Sequence, residues 1–218
     1  MPPCQREAWR IMSFYRVARG AAKLYYKLFF RVKIVGEENL SGGTYVICPN
    51  HKSLNDPPLM GVCIKTPVKF MAKEELFKNK FFDTAMRALG AFPVKRGKSD
   101  LAALKTAIST LKGGDNLVVF PEGTRSPKDH LNEGKSGAAL IAAKAGVDIV
   151  PVGIRGRYRI FSKIAVNIGK PISMDEYFGK RLDSKTLAHI TDSLIMPEIS
   201  KLSGIPTSDE YNKQRIEQ

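Results

Sequence analysis

The sequence predicts an α/β protein with a mainly parallel central sheet flanked by helices, preceded by a basic, amphipathic helical appendage. Three observations carry this. Beyond residue 36, short β-rich apolar runs alternate with stretches of helical periodicity. The runs are continuously apolar rather than alternating, the pattern of strands covered on both faces. The 218 residues, 43% of them hydrophobic, suffice to bury such a core without disulfide or metal staples.

The elements follow in chain order. Residues 1–11, MPPCQREAWRI, show no periodicity and are expected to be a disordered or start-site extension. The segment 12–35 is expected to be a helix, because Arg16, Arg19, Lys23, Lys27 and Arg31 recur at steps of three, four, four and four and so form one cationic stripe. Phe14, Val17, Leu24, Tyr25, Leu28 and Phe29 occupy the rest of its circumference. Such a helix suits a membrane interface, with its cations near lipid phosphates; the alternative is a helix docked on the protein with a solvated basic side. Residues 36–218 form the main domain. Strands are expected at 44–48, 68–71, 92–94, 117–120, 149–152 and 163–168, with helices at 57–64, 74–89, 99–112, 136–145 and 185–203. Pro57 and Pro58 fit a first helical turn.

Composition narrows the function classes. The 35 Lys and Arg against 21 Asp and Glu leave +14, which implies an anionic partner: nucleic acid, anionic membrane, phosphorylated substrate or acidic carrier protein. The first 35 residues hold eight basic residues against Glu7 alone, half of the excess. No recognition-helix or RNP-type signature accompanies the charge, which argues against nucleic acid. Cys4, Cys48 and Cys63 form no C-x-x-C pair, so a reducing environment is the simpler reading. No uncharged apolar run approaches the ~20 residues that span a bilayer. Arg16, Arg19, Lys23 and Lys27 interrupt any signal-peptide core. His51, His130 and His189 are scattered, so no metal site is expected.

In an open α/β sheet ligands bind beyond the carboxyl ends of strands. After the run ending at Cys48 comes PNHKSLNDPP, in which His51 and Asp56 are close enough in sequence for the carboxylate to curl back onto the ring. Either Asp56 fixes the imidazole tautomer and His51 is a general base, or the loop's polar residues cap the next helix and His51 is an ordinary loop residue. After the run ending at Phe120 comes PEGTRSP, where Gly123, Thr124 and Arg125 offer close backbone approach, a hydroxyl and a guanidinium, the groups a phosphate monoester needs. Glu122 would repel phosphate, and suits orienting Arg125 or bonding a substrate hydroxyl. Lys95 and Arg96 follow a third run and add positive charge to the same mouth. Glu133–Ser136 has only the end of a Walker A loop, because the first glycine of that motif would fall at Asp129.

Four blocks in order, NHKSLNDP at 50–57, GAFPVKRG at 90–97, FPEGTRS at 120–126 and VPVGIRG at 150–156, resemble the glycerolipid acyltransferases, most closely the bacterial lysophosphatidic acid acyltransferases. The resemblance covers roughly residues 33–170. It implies transfer of a fatty acyl group from acyl-carrier protein or acyl-CoA to the sn-2 hydroxyl of lysophosphatidic acid, with no cofactor and no covalent acyl-enzyme. His51 would be the general base and Asp56 its orienting partner. Gly123, Thr124 and Arg125 would hold the acceptor phosphate, helped by Arg96, with Glu122 in that acceptor site and Pro151 lining the cleft. Lys95 departs from the family, where an acidic or neutral residue is common beside the arginine. Glycerol 3-phosphate or another lysophospholipid is the alternative acceptor. The implied setting is an anionic membrane surface, peripheral, on the cytoplasmic face of the cell membrane, with no nucleic-acid partner.

Overall fold

The computed structural model describes residues 3–95, 100–126 and 129–216. In chain order the strands are β1 (Arg31–Val35), β2 (Tyr45–Pro49), β3 (Val68–Lys73), β4 (Ala91–Val94), β5 (Asn116–Val118), β6 (Asp148–Gly156) and β7 (Lys163–Ile168). They form one sheet in the order β1-β7-β6-β2-β5-β3-β4. Every neighbouring pair is parallel except β6 with β7, which are joined by a hairpin. The α/β expectation therefore holds.

The helices are α1 (Pro3–Phe29), α2 (Asp56–Cys63), α3 (Lys80–Ala88), α4 (Leu101–Lys112), α5 (Gly137–Ala145), α6 (Ser184–His189), α7 (Met196–Ser203) and α8 (Ser208–Ile216). Both sheet faces are covered, which explains the unbroken apolar strands. Along β2, Val46 and Cys48 face α4, α5 and α7, while Ile47 between them faces α1 and α2. At Gly153 a Cβ would come within 2.1 Å of the Leu202 backbone, so only glycine lets α7 lie this close to β6. Burial raises both described thiols, Cys63 to about 12, as befits inert core residues.

Several elements differ from the sequence reading. The N-terminal helix stops at Phe29, and Arg31, expected on its cationic stripe, begins β1 opposite Lys163. The β-branched run around Val32 and Ile34 pairs with β7, which satisfies backbone groups that a further helical turn would have to satisfy itself. Residues 3–11 are part of α1 rather than separate from it. The expected helix 185–203 is continuous but contains a π turn, Ile190–Ile195, just before Pro197. Proline has no N–H to donate back along the helix, and the wider turn absorbs the lost bond. A short 3-10 turn, Glu74–Phe77, replaces the first part of the helix expected at 74–89. Helix α8 was not expected, since its sequence SDEYNKQRI carries almost no apolar periodicity.

Candidate active site

The carboxyl ends of three adjacent strands, β6, β2 and β5, meet at one edge of the sheet. Asn50, immediately after β2, is fully buried. Its side-chain oxygen accepts from the Ile154 N–H at 2.6 Å and its amide donates to the Ile154 carbonyl at 3.2 Å. The side chain thus acts as one more peptide in the ladder to β6. This frees the main chain to leave the sheet at His51.

The loop then closes on Asp56, the first residue of α2 and fully buried. Oδ2 accepts from the N–H groups of Lys52 (2.7 Å) and Ser53 (2.6 Å) and from His51 Nδ1 (3.0 Å). Oδ1 accepts from the Tyr158 hydroxyl at 2.6 Å. Because the carboxylate only accepts, Nδ1 carries the imidazole proton and Nε2 keeps its lone pair. The ring lies against Phe120, with centroids 4.2 Å apart. Burial first, then the neighbouring Asp56 charge, raises Tyr158 far above the ordinary tyrosine value and keeps it a donor.

Glu122 is 1% exposed and joins the two loops. Oε1 accepts from the His51 N–H at 2.7 Å; Oε2 accepts from the Asn132 N–H at 2.8 Å and from the Ser126 hydroxyl. Ser126 in turn donates its N–H to the His51 carbonyl at 2.7 Å. All of these partners belong to the protein, and Arg125 is not among them. Glu122 is therefore a brace between loops, and it makes no bond to Arg125 among the described residues. Burial raises its carboxyl above the usual range despite those donors.

Thr124 and Arg125 stand exposed beside this brace. Gly123 has φ 68, and a Cβ there would meet the Lys135 side chain at 2.9 Å. Lys135, in the stretch that only superficially suggested a nucleotide loop, thus adds a cation to the same mouth. Pro151 does not reach the site: it lies in mid-β6 opposite Cys48 and packs toward Gly169. Its block contributes through later residues, Ile154 to Asn50 and Gly156 to Lys52, and the turn just beyond it contributes Tyr158 to Asp56. Arg96 lies outside the described residues.

From His51 and Phe120 an apolar groove of about 400 Å³ runs between α1, α2 and β3. Ala18 and Ala22 of α1, Gly61 of α2 and Phe70 of β3 form its walls. Arg19, expected to face lipid, instead donates to the Ile64 and Lys65 carbonyls at 2.5 and 2.8 Å, at the C-terminal end of α2. Arg16, Lys23 and Lys27 are exposed on α1. At the other end Tyr26 donates to the Asn55 carbonyl at 2.7 Å. Helix α1 is thereby fixed along the length of α2, roughly 12 Å, as the outer wall of the groove.

Residues 31–155 match the family model named Acyltransferase. The chain belongs to the Acyltransferase family. This acyltransferase is 34% identical over 177 residues to the 1-acyl-sn-glycerol-3-phosphate acyltransferase of Streptococcus pneumoniae, covering 78% of this chain and 62% of that one. It is 32% identical over 188 residues to the protein of the same name from Bacillus subtilis, covering 83% and 92% of the two chains. The crystal structure of PlsC, the 1-acyl-sn-glycerophosphate (LPA) acyltransferase of Thermotoga maritima, superimposes with TM-score 0.66 at 27% identity, over 93% of this acyltransferase and 83% of PlsC.

Proposed function

We propose that this acyltransferase moves a fatty acyl group from an acyl thioester, carried by acyl-carrier protein or CoA, to the sn-2 hydroxyl of 1-acylglycerol 3-phosphate, giving phosphatidic acid. One observation carries the mechanism: His51 is held by Asp56 at Nδ1 while the ring borders an apolar groove. Nε2 takes the sn-2 hydroxyl proton as that oxygen attacks the thioester carbonyl carbon. The tetrahedral intermediate collapses with cleavage of the C–S bond, and the imidazolium returns its proton to the departing thiolate. The fatty chain occupies the groove, whose walls offer it only van der Waals contact and exclusion of water. Thr124, Arg125, the Gly123 backbone and Lys135 receive the acceptor phosphate. Thioesters are reactive enough that positioning and one base supply much of the rate. The enzyme works as a peripheral protein at an anionic membrane surface, on the cytoplasmic face, which is where a two-tailed product must be left. Among the described residues no helix is long and apolar enough to cross a membrane.

The test is an acyl-transfer assay that crosses acyl-CoA and acyl-carrier protein with lysophosphatidate, glycerol 3-phosphate and zwitterionic lysophospholipids. Lysophosphatidate should be the preferred acceptor; no turnover with it on either donor would overturn the substrate assignment. His51→Ala should lower kcat by about 10²–10⁴ or more while a cooperative melt is retained. Retention of most activity would rule out His51 as the base.

A further inference from the structure

The hairpin between β6 and β7 carries an apolar tip that the core does not use. Ile160 and Phe161 are 66% and 68% exposed. The tip is not loose. The Phe161 N–H donates to the Phe29 carbonyl at 2.7 Å, the Ser162 N–H to the Arg159 carbonyl at 3.0 Å, and the Arg31 N–H to the Ser162 carbonyl at 2.9 Å. The Ser162 hydroxyl closes the turn on the Arg157 carbonyl. Phe161 also has φ 62, a left-handed conformation that is uncommon for a bulky side chain. A built turn thus holds two large apolar side chains in solvent, one of them at a backbone position where glycine would be easier.

The surroundings specify what meets them. Through Phe29 the tip continues the outer face of α1, on which Leu24 and Leu28 are each 56% exposed. Around this apolar centre stand exposed Lys27, Arg31, Arg157, Arg159 and Lys163. None of the five forms an ion pair among the described residues. An apolar centre with an unpaired cationic rim complements the boundary between acyl chains and anionic head groups. The patch also adjoins the catalytic loop: Tyr158, between two of these arginines, donates to Asp56, and Lys52 Nζ donates to the Gly156 carbonyl at 2.6 Å.

We propose that the 157–161 tip is a bilayer-inserting element. Ile160 and Phe161 enter the acyl boundary of an anionic lipid surface, Arg157 and Arg159 engage lipid phosphates, and the tie through Tyr158 turns the His51 side of the enzyme toward the lipid. The inference rests on the reading of this chain as a peripheral enzyme with a lipid acceptor, and adds a second contact, remote in sequence from α1, that sets its orientation.

The test uses the full chain, whose single tryptophan is Trp9. In the Trp9→Phe, Phe161→Trp variant, emission should shift to the blue with vesicles of equimolar phosphatidylcholine and phosphatidylglycerol, and be quenched by lipids brominated high on the acyl chain. Pure phosphatidylcholine should give little shift. The Ile160→Ser, Phe161→Ser variant should lose about tenfold or more in vesicle affinity, yet keep wild-type turnover of lysophosphatidate dispersed in detergent micelles. If wild type sediments with vesicles while the probe stays unshifted, the tip inference fails and the peripheral reading stands. If wild type itself does not sediment, both fail. A shift with acidic acyl-carrier protein but not with vesicles overturns the proposal in favour of a protein partner. If the serine variant also loses micellar turnover, the tryptophan probe still decides.

Discussion

Asp56 accepts from four donors at once, two backbone N–H groups, an imidazole and a phenol, and these bonds tie the loop after β2 to the start of α2 and to the β6–β7 hairpin. One of its partners was legible in the sequence: the short spacing of His51 and Asp56 within PNHKSLNDPP announces a carboxylate near an imidazole. Asn50 and Tyr158 were not. Their roles exist only because β6 lies beside β2 and its hairpin returns over α2, and no local pattern encodes that neighbourhood. Glu122 was legible as a site residue but its bracing bonds were not, since its backbone donors come from two other loops. Its titration gives a direct test. A carboxyl whose folded pKa is raised contributes stability that is fully present below its unfolded value of about 4.3 and is lost as pH rises through the folded value. Glu122→Gln does not titrate, and its amide turns a donor toward one of the N–H groups now accepted, which should cost about 1–3 kcal/mol. The melting-temperature gap between wild type and Glu122→Gln should therefore be widest near pH 4 and narrow as pH rises. A gap that widens toward neutral pH would contradict the buried brace.

Periodicity identified most helices and all strands but one, because continuous apolar runs and 3.6-residue repeats are local properties. What a helical face meets is not local. The stripe on α1 does not divide a solvent face from a packed one: Leu24 and Leu28 are exposed beside the cations, and Arg19 belongs to the protein, since α2 ends just where its guanidinium can reach the last carbonyls. Strand β1 was hidden for a related reason: its partner β7 is at the other end of the domain. The small residues of the groove now gain a meaning. At Gly61 a Cβ would already lie 3.7 Å from the Phe70 ring, so Gly61→Leu should fill the groove. The variant should keep turnover of short acyl thioesters within about threefold and lose long ones by tenfold or more, one or two kcal/mol of lost chain contact. An equal loss at every chain length would mean that the acyl chain does not lie there.

At the scale of the whole molecule, the +14 charge divides among different jobs. The exposed cations of α1 and the β6–β7 hairpin form an outer field, Arg125 and Lys135 stand at the substrate mouth, and Arg19 joins two helices. The sequence could count these charges but not separate them. Helix α1 is a structural part of the domain: Tyr26 is 2% exposed, worth about 1.5–3 kcal/mol of burial, and Arg19 and Tyr26 both bond the α2 region. Removing residues 3–29 should therefore abolish the cooperative melt rather than release a folded, water-soluble remainder. A truncated chain melting within a few degrees of wild type would show α1 to be a detachable anchor.

The pairing of Arg31 with Lys163 sets an order of assembly. A chain made from its N-terminus exposes α1 first, but the strand that follows α1 has no neighbour until β7 has been synthesised, after all the other strands. Loop closure over such a separation is slow. Until α2 has been made, the side of α1 that bears Tyr26 has no partner at all, and until β7 has been made β1 cannot join the sheet, which leaves the nascent chain liable to aggregate. A lipid surface would shelter that side, so the helix that walls the finished groove is also the segment with which an unfinished chain would first find a bilayer.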